Sequence, residues 1–112
     1  MAFSYSRLTE ITTIAATTGT LYTNAASTTT YIRLIVIHNG NTTTEAVKLY
    51  CVPNGGSAGA TTVFYQESLP SYETRFLEFT PPGMVLEDSA DLIQGVTTTA
   101  SKVTFQMYGG KE

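Results

Sequence analysis

The residues of this chain able to do chemistry are few and scattered. His38 is the single histidine. A catalytic dyad built on it would need a nucleophile and an orienting group close by. Hydroxyls abound, yet no Gly-x-Ser-x-Gly elbow presents one. His38 ends an apolar run just before Asn39-Gly40-Asn41, so its expected task is a hydrogen bond to a loop carbonyl. Cys51, the single cysteine, excludes an intrachain disulfide and a multi-cysteine metal site. Between Tyr50 and Val52 it reads as a buried, inert thiol. Glu87, Asp88 and Asp91 offer hard oxygen ligands of the kind calcium takes, but without the spacing and glycine of a calcium loop. A solvated acidic turn is the plainer expectation. Gly55-Gly56-Ser57-Ala58-Gly59 is followed by neither a lysine nor a helical pattern, so it is no phosphate cradle. No catalytic residue, cofactor or metal is expected.

The tyrosines are more telling. Tyr5, Tyr22, Tyr31, Tyr50, Tyr65, Tyr72 and Tyr108 exceed what one small core needs. Tyrosine combines a large contact area with a polar tip, which suits interfaces. Tyr31, Tyr50, Tyr65 and Tyr108, on the less apolar strand faces, are candidate contacts between subunits, together with Phe3 and Tyr5. The competing expectation is that they cap the edges of the core. Charge is scarce, at 13% of residues, against about 25% in an average soluble domain. Twenty-one threonines fill the polar quota instead, and threonine favours strands while covering a sheet without charge. A weakly charged surface fits burial against partners, since interface cores are depleted of charge. A net charge of −3 and pI of about 5.0 give no attraction to nucleic acid or anionic membranes.

The elements that must hold these residues read as strands. Tyr31 to Asn39 alternates most clearly, with Ile32, Leu34, Val36 and His38 on one side and Tyr31, Arg33, Ile35, Ile37 and Asn39 on the other. Both sides are apolar through the middle, which predicts a central strand covered twice. Strands are also predicted over Glu10 to Ala15, Thr20 to Asn24, Ala46 to Val52, Thr61 to Glu67, Glu73 to Phe79, Met84 to Leu86, Leu92 to Val96 and Lys102 to Tyr108. A helix through Leu8, Ile11 and Ile14 is the rival for the first of these. Leu69-Pro70 and Pro81-Pro82-Gly83 act as breaks. Seven or eight short antiparallel strands at near-regular spacing predict an all-β fold: a single, jelly-roll-like β-sandwich over 9–112, preceded by an arm over 1–8. Such an arm can add a strand to a neighbour's sheet edge. The first residues lack the apolar stretch of an export signal, and no run approaches a membrane span; synthesis in the cytoplasm without membrane insertion is expected.

The order of these pieces resembles that of small structural proteins of tailed-bacteriophage virions. It runs from Gly19-Thr20-Leu21-Tyr22-Thr23 and Thr28-Thr29-Thr30 through Ile32 to Ile37 and Asn39. Val47-Lys48-Leu49-Tyr50-Cys51-Val52-Pro53, the glycine-rich loop, Leu69-Pro70 and Tyr72-Glu73-Thr74 follow. Gly83-Met84-Val85-Leu86, Asp91-Leu92-Ile93 and Val103-Thr104-Phe105 complete it. The match spans residues 20–108; the Gly-Asp turn usual in such sequences is replaced here by Ser89-Ala90-Asp91. The resemblance implies a non-catalytic virion component and does not say where on the particle it sits. The expected assembly is a homo-oligomer, a trimer first, that packs on the major capsid or a neck or tail protein. Capsid decoration or cementing is the leading role; a neck, tail or fibre-attachment role comes next. A host-glycan-binding module is a further alternative, for which Asn39, Asn41 and Asn54 would supply polar contacts.

Overall fold

The computed structural model of the chain describes residues 4–112, at Ser4 and Tyr5 the backbone alone. Among the described residues there is no helix, and ten strands form two antiparallel sheets. They are β1 (Ser4–Arg7), β2 (Thr12–Thr13), β3 (Gly19–Thr23), β4 (Thr30–Asn39), β5 (Glu45–Val52), β6 (Val63–Leu69), β7 (Thr74–Glu78), β8 (Met84–Leu86), β9 (Leu92–Thr97) and β10 (Val103–Lys111). The first sheet runs β1-β10-β4-β7, with β2 also on β10 and β8 also on β4; the second runs β3-β9-β5-β6. Taking β1 with β2, and β7 with β8, as two interrupted strands leaves eight strands in two four-stranded sheets. The chain crosses between sheets at almost every connection, β5 to β6 being the exception. This is a jelly roll.

Period-2 patterning drives the burial. Ile32, Ile35, Ile37, Val103, Phe105 and Met107 from the first sheet meet Val47, Leu49 and Ile93 from the second, all fully buried. Each such aliphatic side chain stabilises the fold by about 1.5–3 kcal/mol. Principal extents of 45 × 27 × 21 Å fit two layers about 10 Å apart with side chains on both outer faces.

Three departures from the sequence expectation have a local reason. Alternation in β4 breaks at Arg33. Leu34 pairs with Tyr108 but Ile32 with Gly109, so one extra residue bulges and Ile32 joins Ile35 and Ile37 inside while Leu34, Val36 and His38 point out. Thr61 and Thr62 precede β6 because they close a turn: the Thr62 amide donates to Gly59 O at 3.0 Å, and Thr62 Oγ1 accepts from the Gly59 amide at 2.9 Å. The predicted strand over Glu10–Ala15 shortens to Thr12–Thr13; the Ile14 amide still donates to Val103 O of β10 at 2.9 Å while its side chain turns into the core. Within the segment read as an arm, Ser4 to Arg7 pair with β10 of their own chain, Arg7 opposite Tyr108.

Candidate functional site: an outward apolar face

β4 is flanked by β10 and β7, so three strands align their outward residues in rungs. Tyr108, Leu34 and Glu78 form one rung; Gln106, Val36 and Phe76 the next; Thr104, His38 and Thr74 the third. Direct neighbours across strands bring their Cβ atoms to about 5 Å. Leu34, Val36, Phe76 and the Tyr108 ring are therefore one contiguous apolar patch. Phe76 is 64% exposed; Leu34, Val36 and Tyr108 are half-buried. The Thr104–His38–Thr74 rung and the exposed Arg7 and Glu78 rim it with polar groups, the anatomy of a protein contact surface. Sequence reasoning expected β4 to be covered on both sides, and one side is open in the single chain. It missed Leu34, Val36 and Phe76 as surface residues; for Phe76 the alternation with Thr74 and Glu78 held the signal, whereas the facing of Leu34 and Val36 depends on the bulge.

The tyrosines do not converge on one patch. Tyr108 lies on this face, its hydroxyl donating to Gln106 Oε1 at 2.5 Å. Tyr31 lies at its margin, where β4 turns to pair with β8. Its hydroxyl donates to Glu112 Oε1 at 2.7 Å, and that bond, with some burial and the nearby carboxylates of Glu112 and Glu87, raises its pKa. Tyr50 faces out from the other sheet at 8% exposure. Tyr65 points inward at the sheet edge: burial first, then its bond to Glu67, pushes its phenol up. Glu67 also takes Arg75 Nε at 3.0–3.1 Å and Nη2 at 2.9 Å. The Tyr65 bond and then Arg75 hold the Glu67 carboxyl below its usual range. This cluster closes the open side of the sandwich between β6 and β7. Phe3 lies outside the described residues, and Tyr5 has a strand position opposite Gly110.

The other candidates serve local structure. His38 Nδ1 meets Thr74 Oγ1 at 2.8 Å across the strands; its partner is a hydroxyl on the open face rather than the loop carbonyl expected, because the bulge turns His38 outward. Cys51 is half-buried, and burial, then the Asp91 charge, raises its pKa. Asp91 accepts the Asn54 amide at 2.9 Å and the Asp88 amide at 3.1 Å, so the acidic run is a braced turn, with Ala90 at φ 66° where glycine is usual. Among the described residues, no three His, Cys, Asp or Glu side chains gather as a metal site. Asn39 is fully buried; its Nδ2 donates to the carbonyls of Thr43 (3.0 Å), Leu69 (3.0 Å) and Pro70 (3.2 Å), and its Oδ1 accepts the Asn41 amide at 2.8 Å. Asn41 Nδ2 donates to Glu45 Oε2 at 2.9 Å. Of the three asparagines considered for sugar contact, Asn39 is consumed inside and Asn41 is engaged with its own loop.

No protein-family model matches the chain, and no curated protein matches it by sequence. Among solved structures, the structure of infectious bursal disease virus Gt strain matches at TM-score 0.41 and 11% identity over 97% of this chain. The chain spans 32% of the length of that match. The likeness is distant, and the jelly-roll assignment rests on the strand pairing above.

Proposed function

We propose that the chain is a non-catalytic structural subunit that associates with copies of itself and packs on a viral particle, that of a tailed bacteriophage. Decoration or cementing of the capsid is the first role, attachment at the neck, tail or fibre the next. The carrying observation is the outward face of β10, β4 and β7. An apolar centre of Leu34, Val36, Phe76 and Tyr108 stands open on a chain poor in charge and rich in threonine. An exposed apolar patch rimmed by polar groups is the pattern of a protein contact site. A jelly roll hosts many roles, so the fold alone does not choose among them. The ordered pieces that resemble small virion proteins supply the particle.

The test is whether the protein rebinds phage particles stripped of it, alongside Val36→Lys. Recovery of the unmodified protein on the particle, with loss for Val36→Lys at unchanged far-UV dichroism, supports the reading. No recovery on any particle component, from a chain that also stays monomeric, contradicts it.

A further inference from the structure

The second sheet carries a hollow that the apolar face does not use. On β5 and β6, Lys48 pairs with Gln66 and Leu49 with Tyr65, and then Tyr50 pairs with Val63, Phe64 being passed over. The extra residue is on β6, so Val63 comes to stand beside Tyr50, which the unbroken β5–β9 pairing already faces outward. Segment 53–62 folds back beside it: the Gly56 amide donates to Pro53 O at 2.8 Å, and the Cys51 amide donates to Thr62 O at 2.9 Å. Gly59 and Ala60 thereby become a wall. The result is an open hollow of about 440 Å³ lined by Lys48, Tyr50, Gly59, Ala60, Val63 and Gln66. It has an apolar floor with one ammonium on the rim. Lys48 is exposed and, among the described residues, takes part in no ion pair.

The complementary shape stands on the other sheet of the same chain. Phe76 projects at 64% exposure, and Glu78, exposed on the same face about 7 Å along β7, has no cation of its own among the described residues. We infer that the hollow receives Phe76 of a second copy of this chain, with Glu78 of that copy set against Lys48. The inference rests on the self-association proposed above and names its second surface. An apolar face paired with itself by a two-fold stops at a dimer; a trimer or any larger ring requires two different patches meeting head to tail.

Two variants test it. Phe76→Asp removes the projection and keeps the hollow. Gly59→Trp sets a large ring on the wall of the hollow to obstruct it and keeps the projection; a Cβ at Gly59 meets nothing within 4 Å. Dichroism and urea midpoints verify that both fold. Each variant alone is expected to be monomeric where the unmodified chain is assembled, and an equimolar mixture to give a species of twice the monomer mass. Lys48→Glu should weaken assembly, and adding Glu78→Lys should restore it. If Gly59→Trp assembles like the unmodified chain while Phe76→Asp does not, the apolar face pairs with itself and this inference fails while the proposed function stands. If the unmodified chain never assembles, both fail.

Discussion

Two buried polar residues hold the loops at one end of the sandwich, and each gives a measurable consequence. Asn39 satisfies three carbonyls and one amide inside the core. Asn39→Ala strands those groups and should cost about 2–4 kcal/mol by urea denaturation; a loss under about 0.5 kcal/mol would contradict the assignment. Glu45 is 1% exposed, and its carboxylate accepts the Thr99 amide at 2.7 Å and Asn41 Nδ2 at 2.9 Å. Burial works to raise its pKa, but these donors and the Lys102 charge prevail and hold it below the ordinary 4.5. Glu67 is depressed as well. A carboxylate more acidic in the folded chain stabilises it above the unfolded value and ceases to do so as pH falls through the folded one. The urea midpoint should therefore drop as pH is lowered below 4.5, and less steeply in Glu45→Gln. An acid profile identical in that variant would remove Glu45 from the account. Phe76, exposed at 64%, behaves oppositely: Phe76→Asp should shift monomer stability by no more than about 0.5 kcal/mol while abolishing assembly.

At the scale of elements, the bulge joining β4 to β10 decides what the surface displays. Without the extra residue at Arg33, Leu34 and Val36 would fall inside and the outer face would lose its apolar centre. Gly109 makes the bulge feasible, because a Cβ there would stand 1.9 Å from Tyr31 O. Gly109→Ala should accordingly cost about 3 kcal/mol or more; a fully stable Gly109→Ala protein would show that β4 and β10 need not approach so closely. This also marks how far the sequence is legible. Alternation placed β4, β5, β7, β8, β9 and most of β10 and foretold the sandwich, since burial on one face writes itself as period two. The bulge was not readable: nothing local to Ile32-Arg33-Leu34 announces it, its cause being a glycine some 75 residues away. Nor did the sequence place Tyr65. An inward tyrosine at a sheet edge, bonded to Glu67, looks along the chain like any outward one. The segment before Thr9 is similar, for its pairing with β10 depends on the other end of the chain.

For the whole molecule, the argument is one of surfaces. A chain of 13% charged residues closes one core and still presents an apolar face on one sheet and a hollow on the other. Solubility at low charge then depends on hydroxyls or on partners, and an exposed phenylalanine beside half-buried Leu34 and Val36 favours partners. The most direct measurement is sedimentation velocity of the unmodified chain over a concentration series reaching its solubility limit. The account predicts a shift from the 12.1 kDa monomer to a defined multiple of it as concentration rises, with hydrogen exchange slowed across Leu34, Val36 and Phe76 in the assembled form. A single monomeric boundary at every concentration, with that face exchanging freely, would contradict it.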